Sequence, residues 1–102
     1  MPKQVCNNRL TVVGPRANVK AFSESAWEAA VEAKHVEVLE IFPKRAAWQF
    51  ETEAKPPLIW LLEISSRWPG LVFFLDYETE KFRLKGLAKA KGGAVEHYRI
   101  NY

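Results

Sequence analysis

The side chains that could perform covalent or acid–base chemistry are few and widely spaced in this sequence. They are a single cysteine, Cys6, and two histidines, His35 and His97. A thiolate paired with an imidazole can act as a nucleophile, but a lone cysteine beside a predicted strand is typical of a small buried residue. A structural zinc site needs about four ligands. These three residues therefore do not predict a metal centre.

Two glutamates form the second candidate pair. Glu51 and Glu53 are separated by two positions, so on a strand they share a face, and paired carboxylates can perform general acid–base catalysis. On an edge strand such residues are usually solvated. The sequence also lacks a glycine-rich phosphate loop and a nucleophile elbow. We predict a non-enzymatic protein with no metal and no cofactor.

The basic residues are unevenly distributed. The chain carries 15 Lys and Arg against 12 Asp and Glu, a net charge of +3, but residues 81–102 hold six basic side chains and one acidic one, Glu96. This pattern predicts an anionic partner, such as a single-stranded nucleic acid, for the C-terminal strands. The alternative is that lysines on exposed strands prevent edge-to-edge aggregation. The candidate anion-binding residues are Lys81, Arg83, Lys85, Lys89, Lys91 and Arg99.

Large apolar side chains are more numerous than a small sandwich can cover on one face. An uncovered sheet face rich in them would be an apolar patch, and such patches are typical of interfaces. Two-fold pairing is the commonest closed symmetry. We therefore predict a protein partner or a homodimer, with nucleic-acid binding as the alternative. The candidate interface residues are Trp27, Val31, Trp48, Phe73 and Tyr98.

The composition bounds the class of protein. A chain of 102 residues with 48% hydrophobic residues is typical of one globular domain spanning 1–102. No apolar run approaches the ~20 residues that span a bilayer. The opening residues 1–4 lack a hydrophobic signal core. We predict a cytoplasmic protein that does not bind membranes.

The hydrophobic spacing predicts the elements that must position these side chains. Strands are predicted at 9–13, 36–42, 48–52, 71–75, 81–85 and 94–102, helices over 16–34 and 58–67, a turn within 76–80 and a loop at 89–93. In the first helix Phe22, Ala26, Ala29 and Ala33 share a stripe that predicts close packing on a sheet. The order βαββαβ, plus one or two C-terminal strands, predicts an α+β ferredoxin-like sandwich. In it, two helices cover one face of a mostly antiparallel sheet.

Several short segments resemble a known family. The residues are Cys6-Asn7-Asn8-Arg9-Leu10-Thr11-Val12 with Gly14-Pro15, Val19 and Phe22, then Ile41-Phe42-Pro43, then Phe50-Glu51-Thr52 through Pro56-Pro57, and finally Leu61, Trp68-Pro69, Leu71, Phe73, Leu75, Tyr77-Glu78 and Gly86. This pattern resembles the Api-ninety-two-like proteins, small proteins of phages, plasmids and integrated elements. The resemblance implies a ferredoxin-like fold and a mobile-element origin. It implies no catalytic or binding residues.

The chain departs from that family at one place. Members often carry a tryptophan-rich insert, similar to N-W-G-T-K-W-D, before the third strand. Here that position holds only residues 44–48, Lys-Arg-Ala-Ala-Trp. An activity carried by the insert would therefore be missing from this chain, whereas one carried by the core domain would remain.

Overall fold

The computed structural model describes residues 5–53, 55–79 and 83–101. Its elements follow the order β1-α1-α2-β2-β3-α3-β4-β5-β6. The helices are α1 (Arg16–Glu24), α2 (Trp27–Ala30) and α3 (Leu58–Arg67). The strands are β1 (Val5–Val13), β2 (Lys34–Phe42), β3 (Arg45–Glu53), β4 (Val72–Thr79), β5 (Leu84–Lys91) and β6 (Ala94–Asn101).

One sheet contains all six of these strands. Their spatial order is β2-β3-β1-β4-β5-β6, and every neighbouring pair is antiparallel. Because β3 lies between β1 and β2, the two strands joined through α1 and α2 run in the same direction, as a helical crossover requires. The sheet leaves β2 and β6 at its two edges.

The predicted two-helix ferredoxin-like sandwich is wrong. The described residues form a six-stranded antiparallel sheet with three short helices, and 55% of them are in strands against 25% in helices. The strands extend beyond their predicted ends. The predicted turn at 76–80 is largely the end of β4, and residues 89–91 of the predicted loop belong to β5. Residue 81, the predicted start of a strand at 81–85, lies outside the described residues, and β5 begins at Leu84.

The long first helix is also wrong, because it breaks at Ser25. The backbone of Ser25 is extended, and its hydroxyl donates a 2.6 Å hydrogen bond to the carbonyl of Phe22, which ends α1. The break turns the Trp27 indole into the core, where its ring centre lies 5.2 Å from that of Trp48. Ala26 and Ala29 are exposed as a result. Burying an indole removes ~200 Å² from water, worth about 5 kcal/mol, which exceeds the gain from a few alanine methyl groups.

The third helix has its predicted bounds. It begins after Pro56-Pro57 and ends before Trp68-Pro69, as expected for residues that favour a helix start and a helix stop. Leu61 and Ile64 are buried against the sheet.

Alternate residues divide the sheet into two faces. On β1 the side chains of Cys6, Asn8, Leu10 and Val12 are buried beneath the helices. We call this side the helix face. Val5, Asn7 and Arg9 point the other way and are exposed. We call that side the open face.

Two glycine positions fix the C-terminal hairpin. Gly92 and Gly93 both have positive φ, 57° and 82°, and they form the two-residue turn between Lys91 and Ala94. Such turns match the twist of paired strands and require residues that tolerate the left-handed region.

At Gly86 of β5 a Cβ atom would lie 2.3 Å from the Tyr77 ring. The absence of a side chain there leaves room for the Tyr77 ring over β5.

Candidate functional site

The open face of β5 and β6 presents the most prominent candidate surface. Because side chains alternate, β5 directs Lys85, Leu87, Lys89 and Lys91 to the open face, and β6 directs Glu96, Tyr98 and Ile100 to the same side. The register places Leu87 beside Tyr98, Lys89 beside Glu96 and Lys85 beside Ile100. We call the six residues of these three pairs the hairpin face: Lys85, Leu87, Lys89, Glu96, Tyr98 and Ile100.

Three apolar side chains of the hairpin face are well exposed. Tyr98 is 67% exposed, Ile100 65% and Leu87 42%. They line a groove of about 550 Å³ that also includes Asp76 and Lys85. A smaller groove of about 230 Å³ continues from Asp76 and Lys85 towards β1 and β3. The surface therefore offers an apolar region with charged groups at its margin.

Charges of both signs lie on the open face. The register places Lys85 opposite Glu78 on β4 and Lys89 opposite Glu96 on β6. The Lys89 ammonium also lies 6.0 Å from the centre of the Phe74 ring, within cation–π range. Opposite charges directly across strands stabilise the sheet. They also reduce the positive potential that the three lysines of β5 would create alone.

A hydrogen bond on the helix face fastens the edge strand β6 to β4. The Tyr77 hydroxyl lies 2.5 Å from Nε2 of His97, reaching across Gly86 of β5. Desolvation raises the pKa of Tyr77, and the nearby positive charge of Arg99 opposes this rise. Desolvation, together with the same Arg99, lowers the pKa of His97 below its ordinary 6.5. Both shifts favour the neutral forms of the bonded pair.

The structure brings together half of the predicted anion-binding residues. Lys85, Lys89 and Lys91 lie on the open face of β5. Arg99 lies beside Gly86 in the register and therefore belongs to the helix face. Arg83 has a positive φ of 51° in the turn before β5. The sixth residue, Lys81, lies outside the described residues.

The predicted interface residues separate into two groups. Trp27, Val31, Trp48 and Phe73 are 0–8% exposed and belong to the core cluster. In the folded chain these four side chains lie inside one buried cluster and not on the surface. Tyr98 is exposed on the open face. Any interface on this surface therefore uses Tyr98 and its neighbours instead of the tryptophans.

The residues considered for chemistry lie on different strands: Cys6 on β1, His35 on β2, Glu51 and Glu53 on β3, and His97 on β6. Cys6 is buried, and burial raises the pKa of its thiol to about 11. Its Sγ contacts Oδ1 of Asn8 at 3.5 Å. On β3, Glu51 lies 3.9 Å from Nε2 of His35, and Glu53 ends the strand. Within residues 5–53, 55–79 and 83–101, no three His, Cys, Asp or Glu side chains converge as a metal site would require.

A second exposed apolar surface lies along the other edge of the sheet. On β2 the side chains of Val38, Ile41 and Phe42 are more than half exposed. Register shifts interrupt the pairing of β2 with β3 between Lys34 and Glu37 and between Val38 and Glu40. Such irregularities protect an edge from pairing with another strand. We place the candidate interface on the hairpin face because its three apolar side chains lie beside one another and line one groove.

Sequence reasoning missed Leu87 and the extent of β5. The segment 84–91, Leu-Lys-Gly-Leu-Ala-Lys-Ala-Lys, alternates large or charged residues at 85, 87, 89 and 91 with small ones at 86, 88 and 90. That period of two, ending at a Gly-Gly turn, is a hairpin signal. It indicates the strand and the side chains that share a face with Tyr98.

The comparisons with known proteins find no match. No family model, no curated protein and no solved structure matches the chain. Among the described residues, no helix has the length and hydropathy needed to cross a membrane.

Proposed function

We propose that the chain is a non-enzymatic binding module that contacts a protein through its hairpin face. The observation that supports this proposal is the exposure of Leu87, Tyr98 and Ile100 beside one another on two neighbouring strands. Contiguous exposed apolar side chains mark interfaces, and tyrosine is enriched at the buried centres of such interfaces. The mobile-element origin and cytoplasmic location implied by the sequence are parts of the same proposal.

The charge pattern supports a protein over a nucleic acid as the partner. Two of the three lysines on β5 face a carboxylate across a strand pair, and Asp76 lies at the margin of the groove. Protein surfaces that bind nucleic acids are strongly positive, because their lysines and arginines neutralise the backbone phosphates. A surface of alternating charges instead selects a partner with complementary charges of both signs.

Site-specific photocrosslinking tests the proposed surface. A benzophenone amino acid at position 98 should give covalent adducts with a protein in cells that express the chain. The same group at position 59 is the matched control, because Ile59 is 75% exposed on α3. Adducts at 98 that are absent at 59 support the proposal. Equal adducts, or none at 98, contradict it.

A second candidate function is binding of single-stranded nucleic acid. It is favoured by one observation, the position of Lys85, Lys89 and Lys91 on the same face as the aromatic rings of Phe74 and Tyr98. Bases stack on such rings while cations contact the backbone phosphates. Three phosphate contacts would make log affinity fall with log salt at a slope of about −2.

An oligonucleotide titration at two salt concentrations distinguishes the two functions. If the lysines bind phosphates, binding should weaken steeply with salt and disappear in the triple variant Lys85→Gln, Lys89→Gln, Lys91→Gln. If the hairpin face binds protein, the wild-type chain should not bind the oligonucleotide even at low salt.

A further inference from the structure

We infer that the partner of the hairpin face is a second copy of this chain, packed face to face about a two-fold axis that runs along the strands between β5 and β6. This inference rests on the proposed function and names its partner. The observation that supports it is that open-face residues of β5 lie beside chemically complementary residues of β6, Leu87 beside Tyr98 and Lys89 beside Glu96.

The symmetry determines which residues would meet. A two-fold axis parallel to the strands keeps each residue at its level along the sheet and exchanges β5 with β6. Each side chain therefore faces, across the interface, the residue type that already lies beside it in its own sheet. Leu87 would face Tyr98 of the second copy, and Lys89 would face Glu96, each contact occurring twice.

The chemistry of these contacts is favourable at each level. Leu87 and Tyr98 are both exposed in the single chain, so their contact removes apolar surface from water. Lys89 and Glu96 carry opposite charges. Lys85 meets Ile100, and its aliphatic stem can cover an apolar side chain while the ammonium stays in water.

The other face-to-face arrangement is unfavourable. A two-fold axis that is parallel to the sheet but perpendicular to its strands would place β5 on β5 of the second copy. It would bring lysines of both copies together, since Lys85, Lys89 and Lys91 all lie on the open face. It would also place β6 on β6, so that Glu96 approached its own equivalent or Ile100. The charge pattern thus selects the axis along the strands.

The interface would be small. Two or three strands of eight residues present an area on the order of 300–400 Å² in each copy, below the ~800 Å² per partner of stable complexes. We therefore expect weak association that is visible only at high protein concentration.

A charge-exchange experiment tests this arrangement. In Lys89→Glu both facing positions become acidic, and in Glu96→Lys both become basic, so each variant alone should dimerise about tenfold or more weakly than the wild type. An equimolar mixture should regain association, because each contact then joins opposite charges. The pair within each chain stays like-charged in both variants, so recovery in the mixture reports only contacts between chains. Sedimentation equilibrium at about 0.5 mM, a concentration suited to weak contacts, measures the dimer fraction.

The outcomes separate the inference from the proposed function. A wild-type chain that remains monomeric at that concentration, or a wild-type dimer that both variants retain, overturns the inference. In either case, adducts at position 98 to a different protein would still support the proposed function. Lys20→Glu on the exposed side of α1 is the control for an unrelated charge reversal.

Neutral variants keep the test decisive if a charge reversal unfolds the chain. Lys89→Gln and Glu96→Gln should each weaken the dimer, because each homodimer then lacks both ion pairs. An equimolar mixture should regain part of the association, since Glu96 of the first variant then faces Lys89 of the second, and a mixture no stronger than the separate variants would contradict the inference. Circular dichroism of every variant establishes that the fold is retained.

Discussion

The Tyr77 hydroxyl and Nε2 of His97 lie 2.5 Å apart although their strands are not neighbours. Between them runs β5, and the bond passes over Gly86, the one position of β5 without a side chain to obstruct it. The hydrogen bond between β4 and β6 therefore requires that residue 86 of β5 has no side chain. The edge strand β6, which carries Tyr98 and Ile100, is fixed to the core at this point.

Gly86→Ala should destabilise the fold. An added Cβ would lie 2.3 Å from the Tyr77 ring, so the ring must move and its bond to His97 must lengthen or break. Overpacking of this kind costs about 1–3 kcal/mol. Urea denaturation measures the change in the free energy of unfolding.

Repeating Gly86→Ala in a Tyr77→Leu variant tests whether the Tyr77 ring causes the loss of stability. In a Tyr77→Leu chain the same Gly86→Ala substitution should cost much less, because the obstructing ring is gone. Neighbouring residues that share a contact give such non-additive effects. Equal costs in both backgrounds would show that the ring does not explain the need for glycine.

Stability should decrease as the solution is acidified below neutral pH, in part because of His97. Desolvation and Arg99 lower the pKa of this histidine in the folded chain below its unfolded value of 6.5. The unfolded chain therefore binds more protons in acid, so the contribution of neutral His97 is present above pH 6.5 and is lost as the pH falls through the lowered pKa.

The substitution His97→Gln isolates that contribution. Between pH 7.5 and pH 5 the variant should lose less stability than the wild type, although it starts less stable because the bond to Tyr77 is changed. Urea midpoints at several pH values are the readout. Parallel pH profiles of the two proteins would be inconsistent with a lowered pKa at His97.

The Cys6 thiol should react slowly in the folded protein. It is fully buried, and burial raises its pKa to about 11, so little thiolate forms at pH 8. A chromogenic disulfide reagent should modify it at a rate limited by unfolding, and quickly in denaturant. Rapid modification of the native chain would show that the sheet around β1 opens far more readily than the burial of Cys6 indicates.

Trp27→Ala should be among the most damaging single substitutions. Trp27 is 3% exposed, and its ring centre lies within 6 Å of those of Phe22, Trp48, Phe50 and Trp60. Replacing a buried tryptophan by alanine costs about 3–5 kcal/mol. Calorimetry gives the loss in melting temperature.

An exposed alanine of the same short helix, α2, is the matched control. Ala29→Gln should change stability by no more than about 0.5 kcal/mol, because Ala29 is exposed. The unbroken helix predicted from the sequence requires the reverse order, with Ala29 the more sensitive position. The two variants therefore test where this segment contacts the sheet.

Local sequence signals predict part of this fold. The helix over 58–67 is flanked by prolines on both sides, and its bounds follow from them. The Gly92-Gly93 turn follows from residues that tolerate positive φ. In such places the conformation is determined by residues that are adjacent along the chain.

The rest depends on contacts between distant residues. The alanine stripe after Phe22 fits a continuous helix, but Trp48 and Phe50 lie more than twenty residues away and provide the site that draws Trp27 out of it. The candidate site shows the same limit. Alternation in 84–91 indicates which side chains share a face, whereas the exposure of Leu87 and Tyr98 depends on where α3 packs over the sheet.

The Gly92-Gly93 turn determines which side chains of β6 lie on each face of the sheet. It pairs Lys91 with Ala94 and so sets which side chains of β6 emerge on each side. One extra amino acid between the two glycines would reverse that alternation for every later position. Tyr98 and Ile100 would then lie on the helix face and Arg99 on the open face, so the apolar surface beside Leu87 would be lost although every side chain that forms it is still present in the chain.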